Sequence, residues 1–260
     1  VDIDAEAAAV VASTFLTPIR LAQASRTGKE TAVERTATAL RRLILASPDG
    51  AYIGSEDQLR EQLAVSRPTM RQAIRLLQHE HLLVSKRGGA GGLYGRRPEV
   101  EAVVQAAATY LAIEAATTRH FFACSVTIVR EALRLACQSD DEEQRGRLRK
   151  LLERTTVGAE SSPLSRRDQW LADRDLGAIL GGICGNPVLK LFISIVYRFG
   201  WVQWSERLLE QHDEQLRVLW RVRDSIIEAI LARDIEKALA LGQQRADLIF
   251  QLLDEIDAES

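Results

Sequence analysis

Between residues 31 and 98 the spacing of apolar positions changes several times, and each change predicts an element. From Thr31 to Ala46, Val33, Ala37, Leu40 and Ile44 recur at three- and four-residue intervals while Arg35, Arg41 and Arg42 fall elsewhere, which predicts an amphipathic helix. Pro48, Asp49 and Gly50 end it in a turn. Ser55 followed by Gln58 has the spacing of a capping box, so a short second helix starts there with Leu59 and Leu63 on one face. Ala64-Val65-Ser66 is long enough only for a turn. Ser66 then caps a third helix whose first turn holds Pro68, where the missing N–H costs nothing.

In that third helix Met70, Ala73, Ile74 and Leu77 form a core stripe, and Arg67, Thr69, Arg71 and Arg75 fall off it. The outward face is cationic, the property a helix needs to enter the major groove, where arginine forks onto guanine or grips phosphate. Leu82, Leu83 and Val84 predict a strand. Lys86, Arg87, Gly88 and Gly89 open a glycine-rich hairpin tip that runs to Gly92 and has no bulky side chain to hold it away from a groove. From Glu99 onward the pattern is helical throughout. Breaks fall near Thr117, Gln138 to Asp141, Thr155 to Pro163, Gly185-Asn186-Pro187, Leu209 to Asp213 and Arg233-Asp234, giving about six or seven helices. Residues 1 to 31 form an N-terminal extension of unassigned role: a loosely attached arm, or a tail lying on a partner subunit.

Charge sharpens this division. The 260-residue chain has a formal net charge of -2, yet residues 32–98 carry eleven Lys or Arg against six Asp or Glu, leaving about -6 on residues 99–260. The basic segment suits a polyanion. Cys124, Cys137 and Cys184 lack metal-ligand or disulfide spacing and are expected as buried free thiols. No apolar run reaches the roughly 18 residues of a membrane span, and the opening VDIDAEAAAVV is acidic where a secretory signal is basic. The chain therefore reads as cytoplasmic.

The stretch from Gly50 to Gly89 resembles the winged helix-turn-helix of GntR-family transcription regulators, through Ser55, Glu56, Leu59, Val65, Ser66, Arg67, Met70, Arg71, Ala73, Ile74, Leu77, Gly88 and Gly89. Three positions depart from the family pattern: Gly54 replaces a Pro, Asp57 a DNA-contacting Arg, and His81 the Gly that ends the recognition helix. More weakly, residues 99–260 resemble the FCD effector domain of the FadR branch, through Val129-Arg130 with Leu133, Asp173 with Gly185-Asn186-Pro187, and Ile226 to Asp234 with Ala238. The resemblance implies a mainly α protein, with an N-terminal winged helix-turn-helix (32–98), its small β-hairpin wing, and an all-helical ligand-binding and dimerisation bundle (99–260). It implies DNA contacts by Ser66, Arg67, Thr69, Arg71, Arg75, Lys86, Arg87, Gly88 and Gly89.

FCD domains hold a divalent metal on an Asp-x-x-x-His pair and two further histidines. Here the Asp is kept as Asp173, but the histidine positions fall on Gly177, Arg223 and Arg245, so neither a metal nor another cofactor is expected. Independently of the family, Arg130, Asp173, Arg223 and Arg245 each sit on an apolar helical stripe. Three inward arginines converging on one carboxylate leave room for an added anion, a small organic acid or acyl metabolite. Alternatively each arginine finds its own carboxylate and no ligand exists. Trp170, Trp201, Trp204 and Trp220 either line a chamber beside them or belong to the core. The functional expectation is a homodimeric, ligand-responsive DNA-binding regulator, a repressor by family habit, on a palindromic operator. The alternatives are a helical interaction module with weakened DNA binding, or a metabolic enzyme, for which no catalytic constellation is present.

Overall fold

The computed structural model describes residues 31–86, 88, 91–98, 100–161, 164–204 and 213–259, without the side chains of 157–161, 199–204, 213 and 256–259. The extension up to residue 30, Arg87, Gly89 and His212 lie outside the described residues. The chain divides after Ala102 into two compact units.

The first unit opens with α1 (Ala32–Leu45), capped by Thr31, whose hydroxyl accepts from the Glu34 N–H while the Glu34 carboxylate accepts from the Thr31 N–H. Next come β1 (Tyr52–Gly54), α2 (Glu56–Gln62), α3 (Arg67–His79), β2 (Leu83–Lys86) and β3 (Gly92–Gly95). The capping box read from Ser55 and Gln58 is present, and Ser66 caps α3. Leu40 of α1 and Met70, Ala73 and Leu77 of α3 are wholly buried against one another and against Leu59, Leu83 and Leu93. The wing is a three-stranded antiparallel sheet in the order β1-β3-β2, one strand more than a hairpin. Periodicity does not announce β1, because it is three residues long and too short to alternate.

Arg41 of α1 forks onto Glu80 at 2.7 Å, fixing the far end of α3. That end closes by two backbone bonds, His81 N–H to Gln78 O at 3.1 Å and Leu82 N–H to Leu77 O at 2.9 Å, which require His81 in the left-handed region at φ 58. The same closure places Ala64 (φ 51) in the turn between α2 and α3.

The second unit is helical wherever it is described. The chain continues through α4 (Val100–Ile113), α5 (Thr118–Gln138), α6 (Glu142–Ser161), α7 (Arg166–Ile183), α8 (Pro187–Trp204), α9 (Asp213–Leu231) and α10 (Ile235–Glu259). The expected break beginning at Thr155 comes later, because the single Thr155 O–H has acceptors within reach inside the helix, Leu151 O and Leu152 O, and across it, the Asp224 carboxylate at 3.0 Å. The core joins Leu133, Leu148, Leu176, Leu180, Ile193 and Ile227 from five helices. Arg145, nearly fully buried, donates to Leu231 O at 2.7 Å and caps the end of α9, where the helix dipole favours a cation. Cys137 and Cys184 are buried as expected, and burial pushes the Cys184 thiol up to about 11, but Cys124 is exposed, a correction to the reading of three buried thiols. It lies next to the α5 face that carries Ser125 inward, and successive helical residues point about 100° apart. No α4 residue is buried, and its Tyr110 and Ile113 stand exposed. No described helix is long and apolar enough to cross a membrane.

A left-handed residue with a Cβ is strained where glycine is not. His81→Gly is therefore expected to stabilise the first unit by about 1 kcal/mol, read as a higher urea midpoint at unchanged slope.

Candidate functional site

The first candidate surface is the start of α3. Arg67 and Arg71 are 61% and 62% exposed, and Arg75 is exposed beyond them, because the stripe of Met70, Ala73, Ile74 and Leu77 takes the opposite side of the helix. Neither of the first two arginines is free. Arg67 donates to Asp57 Oδ1 at 3.1 Å, and Arg71 Nε donates to Glu56 Oε1 at 3.0 Å, both carboxylates lying in the first turn of α2. Hydrogen bonding and charge from Arg67 hold the Asp57 carboxyl below the usual range. The Ser66 hydroxyl accepts from the Thr69 N–H at 3.3 Å and lies 2.8 Å from Thr69 Oγ1, so both hydroxyls serve the cap. Thr69 is half-buried.

On the wing, Lys86 is exposed with its ammonium 4.4 Å from the Tyr94 ring centroid, and Gly88 is exposed. The tip is closed by Gly91 N–H donating to Gly88 O at 2.7 Å; a Cβ on Gly91 would also come within 2.7 Å of that oxygen, so the turn demands glycine. The remaining expected contacts, Arg87 and Gly89, lie outside the described residues.

The second candidate is a cavity of about 130 Å³ inside the helical unit. Its wall combines apolar side chains from α5, α7, α9 and α10 with Arg130, Trp170, Asp173, Arg174, Tyr197, Trp220 and Arg245. Asp173 and Arg245 have side chains 9% and 16% exposed and meet at 2.7 Å. The Tyr197 phenol is the other polar group that acts on Arg245. Burial alone would lower the Arg245 value, but Asp173 and Tyr197 together hold it above the ordinary arginine range. Burial pushes the Tyr197 phenol up, keeping it neutral. Two N–H groups here are buried with no partner among the described residues, Arg245 Nε and Trp170 Nε1.

The expected convergence of three arginines on Asp173 needs correction. Arg223 is 0% exposed and absent from the cavity wall; it is held by Asp224 Oδ1 at 2.8 Å, Gln169 Oε1 at 2.8 Å and Gln169 O at 3.2 Å. A neighbouring carboxylate and a glutamine satisfy its fork, so it has no call on Asp173. Arg130 lines the cavity but is an exposed side chain, not an inward one. Of the three, Arg245 is the one that reaches Asp173 among the described residues. Of the tryptophans, Trp170 and Trp220 line the cavity, whereas the side chains of Trp201 and Trp204 lie outside the described residues. Tyr197 and Arg174 went unnoticed in the sequence. The signal for Tyr197 is a pairing that sequence does not display: a Cβ on Gly177 would come within 2.3 Å of the Tyr197 ring, so that glycine makes room for the tyrosine.

These residues do not fit a divalent metal. One carboxylate remains, and it is already bonded to a guanidinium; the Gly177 position is filled by the Tyr197 ring. Among the described residues no three His, Cys, Asp or Glu side chains are grouped to hold an ion.

Residues 32–91 match the bacterial regulatory proteins of the gntR family, and residues 120–245 match the FCD domain. Among solved structures, GntR of Streptococcus agalactiae aligns with a TM-score of 0.64 at 19% identity, covering 84% of this chain and 98% of that one. McbR/YncC of E. coli aligns with a TM-score of 0.43 at 18% identity, covering 87% and 99%. The first likeness shows a shared fold. No curated protein sequence matches the chain.

Removing Arg223 would strand the Asp224 carboxylate and the Gln169 amide in the helical core. Arg223→Ala is expected to cost about 3 kcal/mol, the lower end for a broken buried pair because Asp224 keeps some solvent, measured by chemical denaturation.

Proposed function

With a GntR-family DNA-binding domain followed by an FCD domain, the chain belongs to the GntR family of bacterial regulatory proteins, and from that premise we propose that it is a homodimeric repressor released by a small anionic effector. The family consists of DNA-binding transcription regulators, not enzymes.

The observation that carries the proposal is the outward cationic start of α3, with Arg67 and Arg71 more than half exposed. Arg67 and Arg71 contact base edges or adjacent phosphates, Thr69 and Ser66 hold the start of α3 against the backbone, and Arg75, Lys86, Arg87, Gly88 and Gly89 take phosphate and groove contacts. On DNA the two arginines exchange Asp57 and Glu56, or share them, with the polyanion. Exposed ion pairs are weak in water, so this exchange costs little. Asp57 reduces the positive potential of the surface and thus lowers non-specific affinity, which raises the share of recognition carried by bases.

Two copies read the half-sites of a palindrome whose centres lie about one helical turn, roughly 34 Å, apart. The exposed apolar residues of α4, including Tyr110 and Ile113, support an assembly larger than one chain. The cavity beside Asp173 and Arg245 receives the effector. Its binding shifts the dimer between states by its differential affinity for them.

On a genomic fragment that binds the wild type in gel shift, Arg71→Ala is expected to weaken binding by about 1–3 kcal/mol and to flatten the salt dependence by about one phosphate contact. Unchanged affinity would remove Arg71 from the interface. Light scattering of the full chain should return twice the chain mass.

A further inference from the structure

Resting on the reading of the α3 start as the DNA-facing surface, we propose that Asp57 and Arg67 act as one composite reader of the major groove. Arg67 takes a guanine, and Asp57 accepts from the exocyclic amine of an adjacent cytosine or adenine, which makes Asp57 a specificity-determining residue. The pair is joined by one hydrogen bond, Arg67 Nη2 to Asp57 Oδ1 at 3.1 Å, with both side chains 61% exposed. Arg60 Nε stands 3.6 Å from that same oxygen. Among the described residues no hydrogen bond reaches Asp57 Oδ2, and Arg67 makes no other. The unit therefore offers four N–H donors beside one carboxylate oxygen without a protein partner. Stability does not account for such a pair, because exposed ion pairs add little to it. Hydrogen bonding and charge from Arg67 keep Asp57 ionised, so it only accepts.

A phosphate presents only acceptors. It satisfies the guanidinium but repels the carboxylate, and a guanidinium paired with a carboxylate carries no net charge with which to release counterions. A base-pair edge in the major groove differs. Guanine shows O6 and N7, two acceptors that a guanidinium forks onto, while cytosine N4 or adenine N6 shows a donor that a carboxylate can accept from. Donors next to an acceptor on the protein thus match acceptors next to a donor on the DNA, and Arg67 has enough N–H groups to keep Asp57 while it engages guanine. Glu56 is placed differently. It takes the Nε–H of Arg71 and its side chain is 35% exposed, so it holds that arginine by the inner nitrogen and leaves the two terminal ones, while Asp57 is the carboxylate that stands further into solvent.

The test mixes the full chain with DNA duplexes that carry a randomised core, recovers the bound sequences by gel shift, and compares the base preferences of the parent with those of Asp57→Ala, Asp57→Asn and Arg67→Ala. Both side chains are exposed, so circular dichroism and the unfolding midpoint should stay those of the parent. The parent should select a guanine next to a cytosine or adenine in each half-site. Asp57→Ala should lose about tenfold of the preference at the second of these positions and keep the guanine. Asp57→Asn retains an oxygen for Arg67 but turns an amide N–H toward the base, so its preference there should move to guanine or thymine, whose O6 and O4 accept. If Asp57→Ala keeps every base preference of the parent, if it weakens all sequences equally, or if Asp57→Asn keeps the parent's base at that position, the inference is overturned. Arg67→Ala separates the two levels. A variant that binds with the parent's affinity and preferences sinks the reading of the α3 start itself; one that loses the guanine while Asp57→Ala changes nothing sinks the composite reader alone.

Discussion

A guanidinium group stays charged inside a protein and must find acceptors for its five N–H bonds. That constraint sorts the arginines of this chain into two populations. Those turned inward are tied to fixed acceptors: Arg223 to Asp224 and Gln169, Arg145 to the last carbonyls of α9, Arg245 to Asp173. Arg67 and Arg71 on α3 are tied to carboxylates of α2 that remain open to water. The first population is structural except where one N–H remains unused. The second is available for exchange with another anion.

The winged unit depends on how α3 is gripped. Its apolar stripe is buried against α1, Arg41 clamps its far end through Glu80, and its near end is capped by Ser66. With both ends fixed, the outer face has one orientation. The carboxylates of Asp57 and Glu56 hold the two leading guanidinium groups, Arg67 and Arg71, on that outer face. The same carboxylates repel phosphate.

In the helical unit, three substitutions relative to the metal-binding pattern form a consistent set. A glycine at 177 leaves space that Tyr197 fills, Arg245 brings a cation to Asp173, and Arg223 is absorbed by Asp224 and Gln169. Each change alone would leave a hole or an unpaired charge. Together they place a covalently attached cation against Asp173, with an apolar chamber beside it.

By itself the sequence determined the local elements: the caps at Ser55 and Ser66, the α3 stripe, the outward side of Arg67 and Arg71, and most of the breaks between the later helices. These follow from periodicity and from bonds within three or four residues, which the chain displays directly. The left-handed position at His81 was also legible as a departure from an expected glycine. Tertiary structure alone decided which carboxylate each inward arginine meets. Arg130, Arg223 and Arg245 share the same stripe signature, yet one is exposed, one is consumed by Asp224 and Gln169, and one faces Asp173. A helical stripe specifies only that a residue faces other helices. Its partner depends on contacts 54 and 72 positions away, between Arg223 and Gln169 and between Arg245 and Asp173, which no local spacing encodes.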